Sequence, residues 1–133
     1  LKEVIDCSEI LSQLGHNPSV YSVPQVKPFP SKFVVDIFRE YKTIAVFEEH
    51  SIIGGFSAAM AEWVVDNRVN TSQLLRFGIN DEFHIKSGSQ SYARHALGLH
   101  SKAFASRILK SISGSEHENT RSNFSSNQKA IST

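Results

Sequence analysis

Three adjacent ionisable residues, Glu48, Glu49 and His50, follow directly on an apolar run over residues 43–47. Such a run is typical of a strand that is covered on both faces of its sheet. Because sites in open α/β sheets collect at the carboxyl ends of strands, the triplet is the first candidate site. Glu49 and His50 could perform acid–base chemistry, or His50 and a glutamate could bind a divalent metal. The competing interpretation is structural, with carboxylates that cap a helix or pair with an arginine at an interface.

Ser51 and a pair of glycines, Gly54 and Gly55, continue this segment into a predicted helix over residues 56–65. A helix N-terminus presents unpaired N–H groups and positive partial charge, which suit phosphate or carboxylate. The pair fits neither the dinucleotide-binding glycine pattern nor the phosphate loop that ends in lysine. A tight turn that brings the helix close to the sheet explains the glycines without a ligand. A stand-alone anion-binding or regulatory module is therefore the alternative function.

A second polar segment covers residues 81–89. Its candidate anion-binding or interface residues are Asp81, Phe83, Ser87, Gly88 and Ser89. Closeness in sequence does not establish a catalytic Ser/His/Asp arrangement. A solvated loop followed by a helix cap accounts for the same residues.

The apolar spacing predicts the elements that position these residues. Helices are expected over residues 1–14, 31–41, 56–65, 89–98 and 101–112, with strands over 19–23, 43–47 and 73–79. Gly15 is placed to end the first helix, and Ser31, Ser89 and Ser101 are placed as N-caps. Helices and strands alternate, so the predicted fold class is α/β, a three-layer α/β/α sandwich around a mostly parallel sheet.

Composition limits the possible functions. The chain has 133 residues, 40% hydrophobic and 20% charged, with a formal net charge of +1, which gives no overall field for nucleic acid. The lone Cys7 excludes an internal disulfide and favours a reducing, cytoplasmic location. We expect no metal site, no targeting segment and no membrane segment. We expect one domain over residues 1–112 and a disordered tail over 113–133, which is rich in Ser, Asn and Glu.

Two ordered motifs resemble those of transketolase C-terminal domains. Residues 46–62 contain Glu-Glu-His-Ser, two further residues and Gly-Gly, as in that family's EEHSxxGG signature. Residues 75–99 are similar to its R-x-G-I-x-D-x-F, S-G-S and G-L segments, and Lys27–Pro28 stands where the family has K-P. The resemblance covers about residues 1–112. It includes transketolases, 1-deoxyxylulose-5-phosphate synthases and the β subunits of 2-oxoacid dehydrogenases.

The resemblance implies a structural and dimerising domain of an enzyme that transfers two-carbon ketol units between sugar phosphates. In that family thiamine diphosphate and Mg²⁺ are held by the pyrophosphate- and pyrimidine-binding domains, which would be partners of this chain. The acidic corner at 48–51 would face those domains, and no catalytic residue is carried over. The chain by itself is expected to bind no cofactor and to be inactive.

The resemblance is incomplete at the start of the chain. Family members have a strand that ends in glycine just before the first helix, whereas residue 1 already lies at that helix. Either the sequence is a fragment or another chain supplies the strand to the sheet. The chain also has no pyrophosphate-site G-D-G motif and no recognisable catalytic glutamate of a pyrimidine domain.

Overall fold

A computed structural model of the chain describes residues 1–69, 72–80 and 90–114. In chain order its elements are α1 (Lys2–Gln13), α2 (Ser31–Glu40), β1 (Thr43–Ser51), α3 (Phe56–Asp66), β2 (Gln73–Ile79), α4 (Gln90–Ala96) and α5 (residues 101–114). The predicted alternation of helix and strand is confirmed from α2 to α4, and α5 continues two residues beyond the expected end of the domain. Within the described ranges, no helix has the length and apolar character needed to cross a membrane.

The two strands are parallel, with Thr43 opposite Gln73 and Phe47 opposite Phe77. After an irregularity the pairing resumes between Ser51 and Ile79. The strand predicted over 43–47 is therefore four residues longer than expected and includes residues 48–51. A parallel pair joined through a helix is the expected connection, since parallel strands need a crossover.

Alternate residues of the strands face opposite helical layers. One core contains Cys7 and Leu11 of α1 with residues of α5, and Ala45, Phe47, Leu75 and Phe77 of the sheet pack in it. The other contains residues of α2 and α3, and Ile44, Val46 and Leu74 pack in it. Because side chains alternate along a strand, both faces of the sheet are covered, and the three-layer α/β/α architecture is confirmed.

The strand predicted over residues 19–23 is wrong, because these residues form no ladder in the described structure. Side-chain contacts hold the segment instead. The Tyr41 hydroxyl donates to Ser19 Oγ at 2.9 Å and lies 2.9 Å from the Tyr21 hydroxyl. A β-prone segment becomes a strand only when a neighbour supplies the ladder, and β1 does not lie against this one.

The N-caps predicted at Ser31 and Ser101 are each displaced by one residue in the structure. Ser31 is the first residue of α2, whose N-cap is Pro30, and Ser101 is likewise the first residue of α5. The Ser101 N–H donates to Glu3 Oε2 at 2.8 Å, so a carboxylate from α1 serves the start of α5. The predicted stop at Gly15 is confirmed, since this glycine has φ of +89° just after α1.

Candidate functional site

The candidate site is the corner where β1 turns into α3. Glu48 points back across this turn, with Oε1 accepting the Phe56 N–H at 2.6 Å and Oε2 accepting the Ser57 N–H at 3.1 Å. Its side chain is only 7% exposed. The carboxylate thus satisfies two unpaired donors of the first helical turn and complements the positive end of the helix dipole.

The two glycines have different functions in the turn. Gly54 has φ of +79°, a conformation that side chains with a Cβ rarely adopt. Gly55 is the N-cap of α3 with ordinary φ of −87°. A Cβ on Gly55 would overlap the Glu48 carboxylate and the His50 ring. The tight turn and close approach that the sequence suggested are therefore present, and the second glycine makes room for the carboxylate.

His50 lies beside the buried carboxylate but faces outward. Its Nε2 is 3.3 Å from Glu48 Oε1, its Nδ1 is 2.9 Å from the Ser51 carbonyl oxygen, and its side chain is 60% exposed. Ser51 Oγ in turn accepts the Ile53 N–H at 3.1 Å. A carboxylate that orients an imidazole is the arrangement that acid–base chemistry needs. The same contacts also fix the shape of the loop.

Glu49 lies on the other side of the strand from Glu48. Its Oε1 accepts from Arg94 of α4 at 2.6 Å, and its side chain is 60% exposed. The pairing of a carboxylate with an arginine, one of the structural interpretations of the sequence, is therefore confirmed for Glu49. The pair links the end of β1 to α4.

Arg76 of β2 contacts the corner through hydrogen bonds. It was not among the candidate site residues predicted from the sequence. It donates to Ser57 Oγ at 3.2 Å and to the carbonyl oxygen of Ile52, so one guanidinium joins β2, the loop and α3. Ser57 itself is fully buried. The signal was present, since Arg76 stands in the second family motif, whereas Arg94 could be found only from its contact with Glu49.

The other predicted site residues lie outside the part of the chain that the structure describes. They are Asp81, Phe83, Ser87, Gly88 and Ser89. Among the residues that are described, no group of three or more His, Cys, Asp or Glu side chains could hold a metal ion. The described corner is a hydrogen-bonded turn with an internal carboxylate and an outward imidazole.

Comparison with known proteins identifies relatives across most of the chain. The family described as "Transketolase, C-terminal domain" matches residues 1–103. A putative transketolase C-terminal section from Methanocaldococcus jannaschii is 33% identical over 83% of this chain. A 1-deoxy-D-xylulose-5-phosphate synthase from Dehalococcoides mccartyi (strain CBDB1) is 31% identical over 85% of it.

A solved structure shares the fold. The chain aligns over 82% of its length with a split gene transketolase described as an inactive beta4 tetramer, with a TM-score of 0.71 and 22% identity. The alignments cover 33% of the Methanocaldococcus protein, 17% of the Dehalococcoides synthase and 35% of the solved chain. The chain therefore spans about a third or less of these relatives.

Proposed function

The chain belongs to the transketolase C-terminal domain family, and from this premise we propose that it is the structural and dimerising part of a thiamine-diphosphate-dependent enzyme. The complete enzyme would transfer two-carbon ketol units between sugar phosphates. Relatives named as a transketolase section and as 1-deoxy-D-xylulose-5-phosphate synthases support this class of enzyme.

The orientation of the corner carries the proposal. The Glu48 carboxylate accepts hydrogen bonds at the start of α3, while the side chains of Glu49 and His50 are largely exposed. Ile53, next to them in the loop, is 62% exposed. A corner that presents an exposed aliphatic side chain among polar groups suits contact with a neighbouring domain. We therefore assign this corner to the contact with the pyrophosphate- and pyrimidine-binding domains.

In this proposal thiamine diphosphate and Mg²⁺ are bound by those other domains. Thiamine diphosphate would supply the carbanion chemistry of two-carbon transfer. At the corner, the Phe56 and Ser57 N–H groups already donate to Glu48. A diphosphate could use this helix start only by displacing a carboxylate with 7% exposure. The same contact weighs against the alternative of an anion-binding module at Gly54 and Gly55.

The proposed partners are the other domains or subunits of the same enzyme, in a homodimer located in the cytoplasm. The tetramer named for the solved relative is a property of that protein, and it supports an oligomeric state for this family of folds. The exposed corner would be the contact surface of the assembly, and it lies outside the two hydrophobic cores of the chain.

The test is to purify the native assembly through an affinity tag on the C-terminus of the chain. We expect mass spectrometry to find the pyrophosphate- and pyrimidine-binding domains in stoichiometric amount, in the same or a second polypeptide. Ketol transfer from a ketose phosphate to an aldose phosphate is then assayed, alongside formation of 1-deoxy-D-xylulose 5-phosphate. Recovery of the chain without those domains, or with neither activity, would overturn the proposal. Calorimetry on the 133-residue chain should show no stoichiometric uptake of thiamine diphosphate with Mg²⁺.

A further inference from the structure

The charges of the chain are distributed unevenly, and α5 carries an excess of cations. Residues 90–114 contain four Lys or Arg side chains and no Asp or Glu, whereas the whole chain has 14 and 13. The remaining residues therefore hold 13 acidic against 10 cationic side chains. One of the four cations, Arg94, is already paired with Glu49. The other three belong to α5, and they are Lys102, Arg107 and Lys110.

We call the solvent side of α5 its basic face. Its members are four exposed residues, Lys102, Ser106, Arg107 and Lys110. Three of them recur at intervals of four residues and so form one row along the helix, about 12 Å long. The opposite side of α5, which includes Phe104 and Ile108, is buried in the core with α1. The helix is therefore held by its apolar side, and its cations are left to solvent.

The basic face lacks acidic partners within the described ranges. None of the ion pairs found there includes a side chain of α5. Arg107 and Lys110 are three residues apart, and two like charges at that spacing destabilise a helix. A solvent face usually mixes both signs, as α2 does with two cations and two carboxylates. The unmixed charge on α5 therefore destabilises the helix slightly, and an acidic partner would remove this repulsion.

Arg107 is oriented by the aromatic side chains beneath it. Its guanidinium carbon lies 4.6 Å from the centroid of the Phe77 ring, which stacks on Phe47 at 4.8 Å. Phe77 is only 4% exposed, so this ring is fixed in the core. A guanidinium stacked on a ring keeps its N–H groups free at its edge, and their planar fork fits a carboxylate with two hydrogen bonds. Orientation before contact lowers the entropy that is lost on binding.

Three kinds of anionic partner could face these cations, and the structure favours one. A helix at a membrane buries its apolar side in lipid, but that side of α5 is in the core, and the exposed large hydrophobic side chains of the described residues all lie outside α5. Nucleic acid requires a broad positive field, whereas the rest of the chain is net acidic. A short row of cations beside one oriented guanidinium suits carboxylates on a protein surface.

We propose that the basic face of α5 is a docking surface for an acidic segment of another polypeptide. Lys102 and Lys110 would pair with carboxylates at the two ends of the row, and Arg107 would bind a carboxylate between them with two hydrogen bonds. The contact would be weak and sensitive to salt, because the face offers charge without an apolar anchor. The inference does not depend on the proposed enzymatic function, since it uses none of the residues of the corner between β1 and α3.

The test measures binding of fluorescein-labelled poly-L-glutamate to the full chain by fluorescence anisotropy, at about 0.15 M ionic strength. Lys102→Gln combined with Lys110→Gln should weaken binding by about fivefold or more, since two exposed charge pairs are lost. The matched control combines Lys32→Gln with Lys42→Gln, which removes the same charge from exposed positions elsewhere. The control should change Kd by less than about twofold.

Two further measurements separate a specific contact from general attraction. Arg107→Lys keeps the net charge but should weaken binding by about twofold or more, because the planar fork is lost. In the natural chain, Kd should rise as salt is added. Circular dichroism of every variant should show an unchanged Tm, since all the substituted side chains are exposed.

Several results would overturn the proposal. Equal weakening in the α5 pair and in the control pair would show that only total charge matters. Absence of binding at this ionic strength would exclude the docking surface altogether. Unchanged binding in Arg107→Lys would contradict the contact on which the preference for carboxylates rests. Vesicles of phosphatidylserine with phosphatidylcholine and a DNA duplex of mixed sequence are measured in parallel, and tighter binding of either would assign the basic face to that partner instead.

Discussion

At the scale of single residues, Glu48 and Glu49 are adjacent in the chain and have opposite surroundings. The Glu48 carboxylate is buried and accepts two backbone N–H groups, whereas Glu49 is exposed and forms one ion pair with Arg94. A carboxylate at a helix N-terminus stabilises the folded state in two ways. It accepts hydrogen bonds from free N–H groups, and it interacts favourably with the helix dipole. An exposed pair gains much less, because water screens it.

Glu48→Ala should therefore destabilise the chain by about 1–3 kcal/mol, since two buried donors lose their acceptor. Glu49→Ala is the matched control and should cost less than about 1 kcal/mol. Urea unfolding followed by circular dichroism measures both free energies. Equal losses for the two variants would contradict the capping function of Glu48.

Cys7 gives the chain a pH dependence. Burial raises the pKa of its thiol in the folded state, because the charged thiolate is poorly solvated there. The unfolded chain ionises first, so this contribution to stability is present below the unfolded pKa of about 8.5 and decreases as pH rises through it. The free energy of unfolding should fall between about pH 8 and 10 more steeply than in Cys7→Ala. Parallel curves for the two proteins would exclude the effect.

At the scale of elements, the turn from β1 into α3 depends on the absence of a side chain at Gly55. In Gly55→Ala the added Cβ would displace the Glu48 carboxylate and the His50 ring. We expect a loss of about 1–3 kcal/mol in the free energy of unfolding, as for other overpacked positions. Thermal and urea unfolding measure it.

Glu48→Ala supplies the control for that prediction. Because the side chain that the new Cβ meets is shortened, Gly55→Ala should cost less in the Glu48→Ala background than in the natural chain. Gly54→Ala should not show this dependence, since its Cβ meets no atom within 4 Å and its cost comes from the positive φ. Strict additivity of Gly55→Ala with Glu48→Ala would rule out a clash between the new Cβ and the Glu48 carboxylate.

At the scale of the whole molecule, the proposed interface can be separated from the stability of the fold. Ile53 lies at the corner with 62% exposure, and Val65 lies in the last turn of α3 with 74% exposure. Ile53→Ser should weaken the enzyme assembly by about 1.4–2.8 kcal/mol, or roughly 10- to 100-fold in Kd, because an apolar contact is lost. Val65→Ser should leave Kd nearly unchanged. Analytical ultracentrifugation of the purified assembly measures both.

Each variant chain should keep its own unfolding free energy within about 0.5 kcal/mol, since both side chains are exposed. If Val65→Ser weakens the assembly as much as Ile53→Ser, the corner is not the contact surface.

The sequence by itself determined the fold class, the family and the order of the elements from α2 onward. Apolar periodicity located α1 and α2, because burial of one face imposes a period on the chain. The motif at 46–62 identified the corner, and Gly54 and Gly55 marked its turn. These features are local, so they can be read from neighbouring residues.

Tertiary structure decided what is not local. Residues 48–51 became strand because Ser51 pairs with Ile79. Residues 19–23 did not, because no strand among the described residues pairs with them. The partners of Glu49 and of Ser101, which are Arg94 and Glu3, are 45 and 98 positions away in sequence. Strand pairing and ion pairing depend on which segments meet in space, and residue types alone do not specify that.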